Sequence, residues 1–135
     1  GLRIGWGYGS KNLIQALNKI KPPFNVNKAA LNAASAAVKD TKWLKKEIMH
    51  VQKWSNIFFK IFKDFDIETN KSFANFMLIS FSKLKKNSKK IFLDLAKSGI
   101  LVREMKIYNI KNCLRVTIGK SSENKKFISI LRKKI

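Results

Sequence analysis

Arginine is the rarer of the two permanent cations here: Arg3, Arg103, Arg115 and Arg132 are the four arginines among 29 basic residues. A planar guanidinium holds a carboxylate or phosphate through two parallel hydrogen bonds, which a lysine ammonium cannot do. In a lysine-rich chain these positions are therefore the first candidates for binding chemistry. In Asn112-Cys113-Leu114-Arg115-Val116-Thr117-Ile118-Gly119, strand alternation sends Leu114, Val116 and Ile118 to one face and Cys113, Arg115 and Thr117 to the other. Arg115 then projects opposite the apolar face from a rigid element, a good placement for gripping an anion. Arg103 closes the run Gly99-Ile100-Leu101-Val102-Arg103 and could converge on the same site. The competing reading of either arginine is an ordinary surface ion pair. Arg3, in the glycine-spaced start of the chain, could reach a phosphate.

Other reactive side chains are scarce. With one histidine and one cysteine and no convergent carboxylates, no closed zinc site is expected. His50 falls within a helical pattern and reads as structural or surface. Cys113 has no histidine nearby in sequence to activate it, so it reads as a small strand residue rather than a nucleophile. It cannot form an internal disulfide, which fits a reducing compartment. Gly5-x-Gly7-x-Gly9 lacks both the spacing and the preceding strand of a dinucleotide-binding loop.

These residues need elements to position them. Residues 2–8 read as a short strand. Ser10 is a plausible N-cap for a helix over 12–20 carrying Leu13, Ile14, Leu17 and Ile20 on one side, ended by Pro22-Pro23. Asn27 caps a second helix, whose alanines at 29, 30, 33, 34, 36 and 37 present small side chains for close packing. Asp40 and Thr41 offer the next cap. From Trp43 to Phe65 a helical stripe of Leu44, Ile48, Val51, Trp54, Phe58, Ile61 and Phe62 predicts one long amphipathic helix. The run 73–81 is expected as a buried strand and 88–97 as a helix ended by Gly99 in a left-handed C-cap. Strands follow at 100–103 and 113–118, and Ser121 is expected to cap a last helix with Phe127, Ile128, Leu131 and Ile135 on one side. The second half is thus strand, helix, strand, strand, helix, a small α/β layer against the long helix. The first forty residues offer a strand with no partner nearby and an alanine-rich surface that calls for another domain or subunit.

The net charge of +21 raises the possibility of a nucleic-acid or anionic-membrane partner. The lysines are dispersed along the whole chain, as on solvated faces, and Trp43, Trp54, Phe58 and Phe62 follow core spacing rather than interleaving with lysine on a strand platform. A basic nucleic-acid-binding module is therefore the lesser alternative, and no nucleic-acid partner is expected. No segment approaches the roughly 20 apolar residues needed to cross a bilayer, so no membrane partner is expected either.

Five stretches carry a resemblance in order and spacing: Gly1-Leu2-Arg3-Ile4-Gly5-Trp6-Gly7-Tyr8-Gly9, Lys21-Pro22-Pro23-Phe24-Asn25-Val26-Asn27, Ala74-Asn75-Phe76, the run 99–103, and the run 113–119 followed by Glu123-Asn124. Together the chain resembles the fold-type-I pyridoxal-phosphate-dependent aminotransferases, the class that includes histidinol-phosphate aminotransferase. The resemblance implies the C-terminal part of such an enzyme: residues 1–40 as the end of the large domain and 41–135 as the small C-terminal α/β domain, which moves to close over substrate. It implies pyridoxal 5'-phosphate as cofactor, with Arg3 on the cofactor phosphate. Arg103 and Arg115 would lie on the anionic end of the substrate. The Schiff-base lysine is then expected before Gly1, so that residues 1–135 carry no catalytic residue and do not catalyse transamination by themselves. It further implies a cytoplasmic homodimer acting on small molecules, with glutamate and histidinol phosphate as the expected pair. Siblings acting on aromatic amino acids, or a threonine-phosphate decarboxylase, share these motifs.

Overall fold

The computed structural model describes residues 1–135. It divides into two compact units, Gly1–Lys45 and Lys46–Ile135.

The first unit is helical. Helix α1 (Lys11–Ile20) starts where the Ser10 hydroxyl accepts from the Leu13 amide at 3.4 Å, and it stops at Lys21, whose N–H still reaches the Leu17 carbonyl, just ahead of the two prolines. Helix α2 (Lys28–Lys39) is capped by Asn27, whose side-chain oxygen accepts from the Ala30 amide at 2.8 Å. The strand expected over 2–8 is absent, and residues 1–10 form no regular element. A strand exists through ladder bonds to a neighbour; this unit contains no other strand, and Arg3 itself has φ of 54°, outside the extended region. No residue of α1 is buried, and Ala30 is the one buried residue of α2.

Helix α3 (Thr41–Asp64) begins at Asp40, whose carboxylate accepts from the Trp43 amide at 2.9 Å. Beyond Lys46 its stripe Trp54, Phe58, Phe62 is one turn apart in each step and fully turned inward. Phe127, from a later helix, stacks edge-on against both phenylalanines, at 5.7 and 6.3 Å between ring centres. The helix ends in a Schellman turn: Asp66 is left-handed, its amide bonds the Lys63 carbonyl, and the Ile67 amide bonds the Phe62 carbonyl. That turn buries Ile67 and feeds the chain directly into the sheet.

The sheet has four antiparallel strands in the order β1-β2-β4-β3, with β1 Glu68–Thr69, β2 Phe76–Ser80, β3 Arg103–Glu104 and β4 Cys113–Thr117. Helix α4 (Ser88–Lys97) lies between β2 and β3, and α5 (Ser121–Lys134) follows β4. Met77, Ile79, Leu114 and Val116 turn inward to meet Phe58, Phe62, Ile91, Leu95, Phe127 and Leu131 from α3, α4 and α5. The helices thus cover one face of the sheet and leave the other open, the α/β arrangement the sequence predicts. β1 is an addition to that expectation. The strand expected at 100–103 is observed only from Arg103: Ile100 spends its N–H on the Leu95 carbonyl in the cap of α4, where Gly99 has φ of 73°. Ser121 does not cap α5 but lies in its first turn, where its hydroxyl accepts from the Trp54 indole at 3.0 Å. The capping role falls to Glu123, whose carboxylate reaches back to the Lys120 amide at 2.7 Å. No helix is long and apolar enough to cross a membrane.

Candidate functional site

The open face of the sheet carries Phe76 and Leu78 from β2 and Cys113, Arg115 and Thr117 from β4. Register decides what meets there. Arg103 of β3 stands directly opposite Arg115 of β4, so the two guanidinium groups rise from neighbouring strands on the same face. Leu78 stands opposite Arg115 on the other side and also lines a cavity of about 670 Å³ with Ser80 and Cys113.

Each arginine lies against an aromatic ring. The Arg115 guanidinium carbon sits 4.9 Å from the centre of the Phe76 ring, and that of Arg103 sits 5.3 Å from the Tyr108 ring. Arg103 also donates from Nη2 to the Tyr108 hydroxyl at 2.6 Å. A ring face attracts a cation without consuming its N–H donors, so the aromatics fix the two groups while leaving most donors available. Arg115 carries a further signal: its Nε is buried and has no hydrogen-bond partner. A buried N–H on a permanent cation costs on the order of 1–3 kcal/mol when unmet, and two like charges directly across a ladder repel. Neither arginine is in an ion pair with a carboxylate, whereas Lys83 pairs with Glu68 and Lys90 with Asp94. A bound anion would offset the repulsion between the two guanidinium groups.

The strand that carries Arg115 is clasped at its end. Gly119 donates to the Asn124 amide oxygen and accepts from the Asn124 amide nitrogen, both at 2.9 Å, and Asn124 is only 2% exposed. His50 Nε2 lies 2.9 Å from the same carbonyl; because a carbonyl only accepts, this nitrogen carries the hydrogen. One residue earlier the Ile118 amide bonds the Asn75 carbonyl at 2.8 Å, next to Phe76. His50 therefore fastens the long helix to the turn after β4.

Arg3 belongs to the other unit. It is exposed, in a stretch without regular structure. Arg132 packs over the Phe65 ring at 5.3 Å and serves the packing of α5 on α3. Cys113 is a half-buried free thiol. Arg103 and Arg115, both singled out in the sequence, come together on one face, whereas the contacts of Phe76 and Tyr108 with them were not anticipated. Phe76 lies within one of the matched stretches; Tyr108 sits in a 3₁₀ turn that leaves no periodic signal.

The model of the family described as aminotransferase class I and II matches residues 1–131. Histidinol-phosphate aminotransferase of Pelagibacter ubique is 41% identical over 132 residues, covering 97% of this chain and 37% of that protein. Its counterpart in Campylobacter jejuni is 39% identical over 129 residues, covering 96% of this chain and 35% of that protein. The chain thus spans a little over a third of the length of the curated relatives it matches. Among solved structures, histidinol-phosphate aminotransferase from Clostridium acetobutylicum superposes with a TM-score of 0.79 at 22% identity, over 91% of this chain and 37% of that one. L-threonine-O-3-phosphate decarboxylase from Porphyromonas gingivalis superposes with a TM-score of 0.74 at 20% identity, over 92% of this chain and 39% of that one. These two likenesses establish the fold alone. Matched along almost its entire length, the chain belongs to the aminotransferase class I and II family.

Proposed function

We propose that residues 1–135 are the anion-gripping C-terminal part of a histidinol-phosphate aminotransferase. In this reading residues 1–40 end the large domain and residues 41–135 form the small domain of a cytoplasmic homodimer. The observation that carries it is the pairing of Arg103 with Arg115 across β3 and β4 on the open face of the sheet. Arg115 takes the carboxylate or phosphate end of the substrate through its fork, and Arg103 adds a second cation to the same pocket. Phe76 beneath Arg115 and the Asn124–Gly119–His50 clasp behind it hold that fork in place, so binding energy goes into orienting the substrate rather than ordering the receptor. Arg3 holds the phosphate of pyridoxal 5'-phosphate. The cofactor, when bound, supplies the electron sink for amino transfer.

Two anionic partners must share one pocket in turn: glutamate, a dicarboxylate, and histidinol phosphate, a phosphate monoester. A guanidinium fork accepts either. The Pelagibacter and Campylobacter relatives, both histidinol-phosphate aminotransferases, support this substrate assignment over an aromatic amino acid, whereas the likeness to the threonine-phosphate decarboxylase concerns the fold.

The test is an amino-transfer assay on an aminotransferase of full family length that carries these residues. Histidinol phosphate and 2-oxoglutarate should give glutamate, with kcat/KM at least about tenfold above that for phenylalanine or tyrosine, the margin one well-made polar contact provides. A preference for aromatic amino acids, or release of carbon dioxide from threonine phosphate, contradicts the assignment.

A further inference from the structure

We propose that Tyr108 is a third donor of the anion site and makes it favour a tetrahedral phosphate ester over a planar carboxylate; this rests on the substrate reading above. The chain between β3 and β4 folds back through the 3₁₀ turn Lys106–Tyr108. The Met105 carbonyl accepts from the Tyr108 and Ile110 amides, and left-handed Asn109 closes the turn with its amide on the Lys106 carbonyl. This fold-back returns the phenol to Arg103, five residues earlier.

The direction of the hydrogen bond then follows from chemistry. A guanidinium only donates, so at 2.6 Å the Tyr108 oxygen accepts from Arg103 Nη2. Its own O–H is left unspent and has no partner in the structure, while the residue remains 50% exposed. The phenol is thus polarised by a cation on its acceptor side and open on its donor side, which strengthens it as a donor.

Ligand shape supplies the selectivity. A carboxylate has two oxygens in one plane, and one guanidinium fork satisfies both. A phosphate monoester presents three terminal oxygens in a tetrahedral array, so a flat fork leaves one of them outside its plane. Arg103 and Tyr108, on the neighbouring strand and its following turn, are the groups placed to meet it. Tyr108 is accordingly a specificity-determining residue: phosphate uses its O–H and carboxylate does not.

Tyr108→Phe separates this role from packing, because phenylalanine keeps the ring against Arg103 and removes only the hydroxyl. In the full-length enzyme the KM for histidinol phosphate should rise by about tenfold, the loss of one hydrogen bond to a charged group. Its kcat and the KM for glutamate should stay within about twofold. Inorganic phosphate, used as a competitive inhibitor of whichever amino donor the enzyme accepts, should lose affinity by a similar factor. The phosphate arm reads the site even in an enzyme that rejects histidinol phosphate, an outcome that would remove the substrate reading alone. Equal increases for both substrates would reduce Tyr108 to a support for Arg103, and an unchanged phosphate inhibition constant would overturn the proposal.

Discussion

At the scale of single residues, the strand that carries Arg115 is held by a side chain beyond its end. Asn124 satisfies both backbone groups of Gly119 from a position 2% exposed. Asn124→Ala leaves the Gly119 amide without a partner and should cost about 2 kcal/mol, read as a lower midpoint in urea denaturation. Asn124→Asp keeps an acceptor for that amide but sets a carboxylate oxygen against the Gly119 carbonyl, so it should restore only part of the loss. Phe76→Leu acts on binding instead. It removes the ring under Arg115 while keeping apolar bulk, and a cation–π contact of about 1 kcal/mol predicts a kcat/KM several-fold lower with little change in stability; an unchanged kcat/KM would show that Phe76 does not hold the fork. The arginines were legible in the sequence because arginine is the exception in this chain, and alternation around Arg115 gave its face correctly. Phe76 and Tyr108 were not legible as their supports. Which ring lies under which cation depends on strand register and on the 3₁₀ turn, and neither leaves a periodic pattern.

At the scale of elements, the helices were the readable part. Ser10, Asn27 and Asp40 each make the cap bond their residue type predicts, and the stripe Trp54, Phe58, Phe62 faces inward as its spacing requires. The strands were readable only where they are long: five residues in β2 and in β4 show alternation, whereas β1 and β3 have two residues each and show none. The two glycines that end elements should respond differently to alanine. Gly99 is left-handed with open space where a Cβ would go, so Gly99→Ala should cost about 1–2 kcal/mol from backbone strain alone. At Gly119 a Cβ would lie 2.5 Å from the Glu123 carboxylate oxygen, which caps α5. Gly119→Ala should therefore displace that cap, and Glu123→Ala in the same chain should add little further loss, since both remove one bond. Additive losses in urea denaturation would contradict this coupling.

At the scale of the whole molecule, the buried core draws every member from residues 54–131, while α1 buries nothing and Trp6, Leu17 and Ile20 stay exposed. Residues 46–135 alone should thus unfold cooperatively with a near-ultraviolet circular dichroism signal from Trp54, whereas residues 1–45 alone should not; a non-cooperative transition for 46–135 would place part of the core's support elsewhere. The net charge of +21 leaves many solvated lysines, so a salt-sensitive affinity for polyanions is expected without any built site. Charge therefore separates poorly between a binding module and an enzyme, and Arg115 separates them well. The most direct test is Arg115→Lys in an aminotransferase of full family length carrying these residues, assayed for amino transfer from histidinol phosphate. Lysine keeps the charge and loses the fork, so kcat/KM should fall by about a hundredfold or more while retention on nucleic acid stays the same. Unchanged turnover would contradict the assignment of Arg115 to the substrate anion.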